Sequence, residues 1–225
     1  MRAAHTRLLG TVEGIDDKTA RRPSRLPGWD VAMLVTHLAR NADGHIAAAQ
    51  GARVGETRRR YPSREARDAG IEAGRGRSAA EVAADLRGSI ERLEQTWDGL
   101  PPDAWGGAAL SPTDEREPIV AAPAARLREV EIHHADLGLA FTFEDWEDTF
   151  VAEELDRWMS GLGARLPSGV VASVVATDTD RTWTTGGGDA GDGDPLRVDA
   201  PSRALLAWLI GRRTDGFPDL RPWDW

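Results

Sequence analysis

Glu129 and His133 stand four residues apart in the run Arg126-Leu127-Arg128-Glu129-Val130-Glu131-Ile132-His133-His134-Ala135-Asp136-Leu137, which otherwise reads as helix. Residues four apart on a helix lie one above the other on the same face, so a carboxylate and an imidazole can point at one ion. Glu131 and His134, three apart, form a rival pair on another face. A third histidine, His37, falls in an earlier helical segment, with Asn41 one turn on and His45 two turns on. His37, Glu129 and His133 can form a His/Glu/His set built from facing helices. Imidazole and carboxylate suit zinc, and three protein ligands leave a fourth position open for chemistry. The spacing alone does not choose, because Glu–His pairs at this interval also occur on solvated helix faces. His45 reads as a surface or packing histidine and His5 as part of a frayed terminus.

Composition narrows the chemistry further. The chain has no cysteine, which excludes disulfides, protein thiolate ligands and a cysteine nucleophile. A net charge of −9 argues against nucleic acid as the main partner. No apolar run approaches the roughly 18–20 residues of a membrane span. The first residues lack the apolar core of a signal peptide, so a cytoplasmic location is expected. At 225 residues there is room for one large domain or two modest ones.

The elements that must position these groups follow from apolar spacing. A first helix is predicted from about Ala3 to Lys18, and a second from Val31 to Gln50, N-capped by Asp30. An arginine-rich stretch from 51 to 77 contains a short helix capped by Ser63 and reads mainly as a solvated basic face. Ser78-Ala79-Ala80-Glu81 is a capping box that opens a helix to about Gly99. Pro101 to Pro118 is expected to be a loop. The helix carrying Glu129 and His133 is placed from about Ile119 to Leu139. Four long helices with short to medium connectors predict an antiparallel four-helix bundle over residues 1–142. From 143 to 225 the pattern becomes a fifth helix, three short strands near 170–176, 181–185 and 196–199, and a last helix from Ser202 to Gly211. Gly186 to Gly193 reads as a turn. The whole is α+β.

Four stretches carry a family resemblance: Leu26-Pro27-Gly28-Trp29, Thr36 to Gly44, Tyr61 to Arg67, and Arg128 to Gly138. With the tail Leu205-Leu206-Ala207-Trp208-Leu209-Ile210-Gly211-Arg212, the chain resembles the mycothiol-dependent maleylpyruvate isomerase family of the DinB-like metalloenzyme superfamily. The resemblance implies a DinB-like bundle followed by a small α/β domain of sterol-carrier type. It implies that His37, Glu129 and His133 are the metal ligands, in preference to Glu131 and His134. It implies a catalytic arginine in the C-terminal domain, best matched by Arg212, with Arg213 adjacent. His134 and Asp136 are candidates to support the ligands from behind or to be solvated, and Asn41 to line the cofactor pocket or simply to be exposed.

The implied cofactors are zinc and mycothiol, a cysteine-containing pseudo-disaccharide of actinobacteria. The implied partners are that thiol and a small-molecule substrate. In the implied reaction the thiolate adds to the cis double bond of maleylpyruvate, the carbon–carbon bond rotates, and elimination gives fumarylpyruvate. A cysteine-free chain must borrow its thiol, which suits this scheme. Near the three ligands the sequence shows no obvious cation for a dicarboxylate, and Arg212 would fill that gap. Thiol transfer to another electrophile, a non-catalytic binding module stabilised by metal, and a metal-dependent hydrolase are the alternatives.

Overall fold

The structure is a computed structural model that describes residues 1–111, 114–167, 170–185 and 195–221. It divides into two compact units, Met1–Thr142 and Phe143–Trp225. Among the described residues no helix is long and apolar enough to cross a membrane.

The first unit is built on helix α3 (Val31–Arg53), whose N-terminus is capped by Asp30 accepting from the Met33 N–H at 2.8 Å. One face of α3 carries Val31, Leu34, Val35, Leu38 and Ala42, all buried. They pack with Leu8 and Val12 of α1 (Arg2–Val12) and with Val82, Leu86 and Ile90 of α5 (Ala79–Asp98). Burying each of these large aliphatic side chains is worth about 1.5–3 kcal/mol. The capping box at Ser78 and Glu81 is present, with both reciprocal hydrogen bonds made. Helix α6 (Ala122–Asp136) lies against α3 and α1.

The first predicted helix is in fact two. α1 stops at Val12, and Asp16 caps a short α2 (Asp17–Ala20) by accepting from the Thr19 N–H at 2.8 Å. An Asp whose side chain captures a backbone N–H two or three residues on favours a new start over continuation. His5 is not frayed: it is buried, and its Nδ1 lies 2.8 Å from Glu94 Oε1.

The 101–118 stretch is not simply a loop. It contains a 3-10 turn at Pro102–Gly106 and strands β2 (Ala108–Leu110) and β3 (Arg116–Pro118). These complete a small sheet in the order β1-β2-β3, where β1 is Arg58–Arg59, parallel to β2. Between β1 and α5 lies α4 (Arg64–Glu72), capped by Ser63. Its exit packs tightly on α3.

The second unit has helices α7 (Asp148–Met159), α8 (Leu162–Arg165) and α9 (Ser202–Leu209) and a sheet of β4 (Ala172–Ala176), β5 (Arg181–Thr185) and β6 (Leu196–Ala200). The order is β5-β4-β6, with β5 antiparallel and β6 parallel to the central strand. Ala172, Val174 and Ala176 alternate inward on β4, as a strand's period of two requires. Asp178, in the β4–β5 turn, receives both the N–H and the hydroxyl of Ser202 and so caps α9 from across the unit. The Gly186–Gly193 turn lies outside the described residues.

The tight exit of α4 generates a test. A Cβ added at Gly74 would stand 2.7 Å from Thr36 Cβ and 3.1 Å from the Ala32 carbonyl oxygen, both on α3. Gly74→Ala should therefore lower the unfolding free energy by about 1–3 kcal/mol, the usual cost of overpacking. Gly70→Ala, inside α4, would meet nothing nearer than Arg40 Cγ at 3.7 Å. It should raise stability by roughly 0.5–1 kcal/mol through helix propensity. Urea unfolding of both variants decides it, and equal stabilities would show that the α3–α4 approach is not tight.

Candidate metal centre

Two helix stripes face each other across the first unit. On α3, His37, Asn41 and His45 recur every four residues. On α6, Arg126, Glu129 and His133 recur at three and four. The helices run antiparallel, since His37 meets Glu129 and His133 while Asn41 meets Arg126.

His37 Nε2 lies 2.9 Å from Glu129 Oε2, and His133 Nε2 lies 3.6 Å from the same oxygen. The two imidazole rings meet edge to face with centroids 5.0 Å apart. Ligand atoms of His37, Glu129 and His133 all fall within 4.8 Å of one another. A tetrahedral zinc ion with bonds of about 2.0–2.2 Å needs its donors roughly 3.3–3.6 Å apart, so this set fits with small adjustments. Two nitrogens and one carboxylate oxygen also form a donor set that zinc accepts.

The surroundings hold the donors in orientation. His133 Nδ1 is 2.9 Å from Asp136 Oδ2, and Asp136 is fully buried, which turns Nε2 toward Glu129. The His37 ring is braced by the edge of Trp29 at 5.5 Å between centroids. Burial pushes the His37 imidazole below its ordinary pKa, with Glu129 opposing, so the neutral ligating form is favoured. Burial alone would raise the Glu129 carboxyl. The His37 hydrogen bond, the two imidazoles and Arg126 outweigh it and hold the group well below the usual carboxylate range.

The rival pair is turned elsewhere. Glu131 accepts from Arg7 on α1 at 2.6 Å. His134 Nε2 lies 2.8 Å from Thr11 Oγ1, also on α1, and its ring stacks on Phe141 at 3.8 Å. Asn41 is buried and accepts from Arg126 Nη1 at 2.8 Å. Of the two readings of His45, surface or packing, the structure shows packing: it is buried, its ring against Trp97. In the second unit, Arg212 follows Gly211, whose φ of +73° ends α9. Its N–H donates to the Ala207 carbonyl and its Nη1 to the Ile210 carbonyl at 2.9 Å. The Arg213 guanidinium stands over the rings of Phe217 and Phe143.

Arg126 went unnoticed in the sequence. It is fully buried three residues before Glu129, a position on the ligand stripe that its spacing already encoded. It supplies a cation beside His37, Glu129 and His133.

Asp136→Asn should weaken zinc binding by about 10–100-fold, as loss of an imidazole's supporting acceptor does. Glu131→Gln should leave it unchanged, because that carboxylate serves Arg7. Competition against a chromophoric chelator measures both, and the reverse ranking would move the centre to the other face of α6.

With the geometry in place, comparison with other proteins assigns the chain. A search of curated proteins returns no match. Among solved structures, the chain is similar to a crystal structure of a mycothiol-dependent maleylpyruvate isomerase, with 23% identity and a TM-score of 0.85, covering 99% of this chain and 93% of that one. It is equally similar to a histidine-to-alanine mutant of a mycothiol-dependent maleylpyruvate isomerase, with 22% identity and the same TM-score and coverage. At these identities the likeness establishes the fold. Residues 1–138 match the family model of the mycothiol maleylpyruvate isomerase N-terminal domain, well over half of the chain, and the protein belongs to that family.

Proposed function

We propose that this protein is a zinc-dependent enzyme that uses a low-molecular-weight thiol, mycothiol, to isomerise maleylpyruvate to fumarylpyruvate or to carry out a related thiol transfer to an electrophile. The observation that carries this reading is the convergence of His37, Glu129 and His133 in a chain of this family. In the same reading the first unit is a DinB-like four-helix bundle and the second a small domain of sterol-carrier type.

A divalent metal bound there would supply a Lewis acid that lowers the pKa of a thiol toward neutrality. The chain's own residues do the rest of the positioning. His37 and His133 present neutral imidazoles, and Glu129 contributes the one anionic donor. Asp136 fixes the tautomer of His133, so the ligating nitrogen is always the one facing Glu129. Asn41 lines the cofactor side of the pocket one turn from His37. Arg212, matched to the family's functional arginine, stabilises negative charge as it develops on the substrate.

Two measurements test this. The purified chain should bind about one zinc ion and convert maleylpyruvate only when mycothiol is added. His37→Ala should lose both properties, and a zinc-loaded chain inert with thiol and substrate would end the isomerase reading. Arg212→Ala should keep its metal content and melting temperature while losing about 10²-fold in turnover, as removal of an oxyanion donor does. Full turnover in Arg212→Ala would remove that residue from the reaction.

A further inference from the structure

Beyond the three ligands, the same two helix stripes continue into a second group of buried polar side chains. Arg126 donates Nη1 to the Leu38 carbonyl and to Asn41 Oδ1, both at 2.8 Å, and its Nε stands 3.3 Å from His5 Nε2. Its Nη2 is buried and has no hydrogen-bond partner among the described residues. Both ring nitrogens of His45 are likewise buried without a partner, as is Arg60 Nε.

Tyr61 completes the group. Its phenol is pushed up to about 12 by burial and then by the charge of Glu129, and it lies within electrostatic reach of Arg126 and Arg60. His45 is depressed to about 3 by burial, then by Arg60 and Arg126. Tyr61 and His45 therefore border the same two arginines, with Glu129 at the edge of the group. Burial lowers Arg126 only to about 10, so it remains a cation at neutral pH.

Buried polar atoms are nearly always hydrogen-bonded, and an uncompensated buried cation costs several kcal/mol. Four such atoms in one group beside the candidate ligands, with the Arg126 cation among them, are a receptor for an anion; Arg60 meanwhile uses its Nη2 on Glu117 at 2.8 Å. The planar guanidinium fork matches a carboxylate, and one arm of it is unused.

We propose that Arg126, with His45, Asn41, Tyr61 and Arg60 around it, is a carboxylate subsite adjoining the metal centre, and that Arg126 Nη2 is the donor that holds one carboxylate of the substrate. This rests on the preceding reading that the substrate is a dicarboxylate. The subsite sets which end of the substrate enters first and places its double bond on the metal side. His45, kept neutral, donates one N–H to the same anion. Arg126 simultaneously clamps α3 to α6, so its role as a binding residue must be separated from that structural role.

The test is titration of the full chain with maleate, without thiol, by isothermal calorimetry at constant ionic strength. Maleate should bind both the zinc-loaded protein and the chelator-treated protein. Arg126→Lys keeps the charge but loses the fork, and should weaken maleate binding at least about tenfold while zinc affinity stays within about threefold. Arg60→Gln and His45→Leu should each weaken it by at least about threefold, and they carry the test if Arg126→Lys does not fold. Three results overturn the subsite: no maleate binding by wild type, binding that disappears on metal removal, or unchanged binding in every folded variant. Equal losses of zinc and maleate affinity in all three variants would also overturn it, since a clamp alone explains them. Maleate binding without thiol-dependent turnover would end the isomerase reading and leave the subsite standing. Turnover without maleate binding would do the opposite.

Discussion

The antiparallel contact of α3 with α6 through Arg126 is the interaction on which the first unit turns. A guanidinium taken wholly out of water must be repaid by hydrogen bonds of good geometry, or the helices would separate to hydrate it. Its two 2.8 Å bonds, to the Leu38 carbonyl and to Asn41, both go to α3. They fix the rotation and the axial register of α6 on α3. One turn further along each helix, that register sets His37 2.9 Å from Glu129. A slip of a single residue would rotate α6 by about 100° and carry Glu129 off the seam. The cation and the candidate ligands are therefore one construction, with the buried charge setting the phase of the helices that present them.

Electrostatics explains why such a cation is tolerated. Glu129 sits three residues away and offsets part of its charge, while burial drives the His37 imidazole toward neutrality. Arg60, the other cation of the group, is paired with Glu117 at 2.8 Å, so Arg126 is the cation that Glu129 alone offsets in part.

Much of this was legible in the sequence, and what was not has definite causes. Caps at Asp30, Ser63 and Ser78 declared three helix starts, because those side chains capture N–H groups that otherwise go unmet. The mixed α+β composition of the chain was visible in its change of periodicity after residue 143. The break after Val12 was not, since Leu8, Val12 and Ile15 keep helical spacing through it and only the Asp16 side chain decides the stop. His5 reads as frayed, and His45 as either surface or packing, because histidine is ambiguous between surface and core. Yet His5 stands three and seven residues before Leu8 and Val12, on the buried stripe, and His45 stands eight after His37. Arg126 was passed over for a simpler reason: arginine is almost never fully buried, so composition argued against what spacing allowed. Spacing alone did not separate the Glu129–His133 pair from its rival, because periodicity does not reveal the rival's partners on α1.

The small β1-β2-β3 sheet was invisible for a physical reason too, and it matters to the site. Strands of two and three residues carry no alternation, and β1 pairs with β2 from about fifty residues away. The signal that was available lay on α3, where glycines interrupt a helix otherwise rich in alanine. A Cβ at Gly44 would stand 3.1 Å from the Arg60 carbonyl oxygen and 3.3 Å from Arg60 Cβ. A Cβ at Gly51 would press within 2.7 Å of the Arg58 side chain. Each glycine costs the helix about 0.5–1 kcal/mol relative to alanine, so neither is free. What that cost permits is the approach of Arg58 and Arg60 against the helix that carries His37, Asn41 and His45. Tyr61 then comes within electrostatic reach of Glu129 and Arg126. The helix gives up propensity at two positions, and gains a polar third wall for the site that two helices alone could not build.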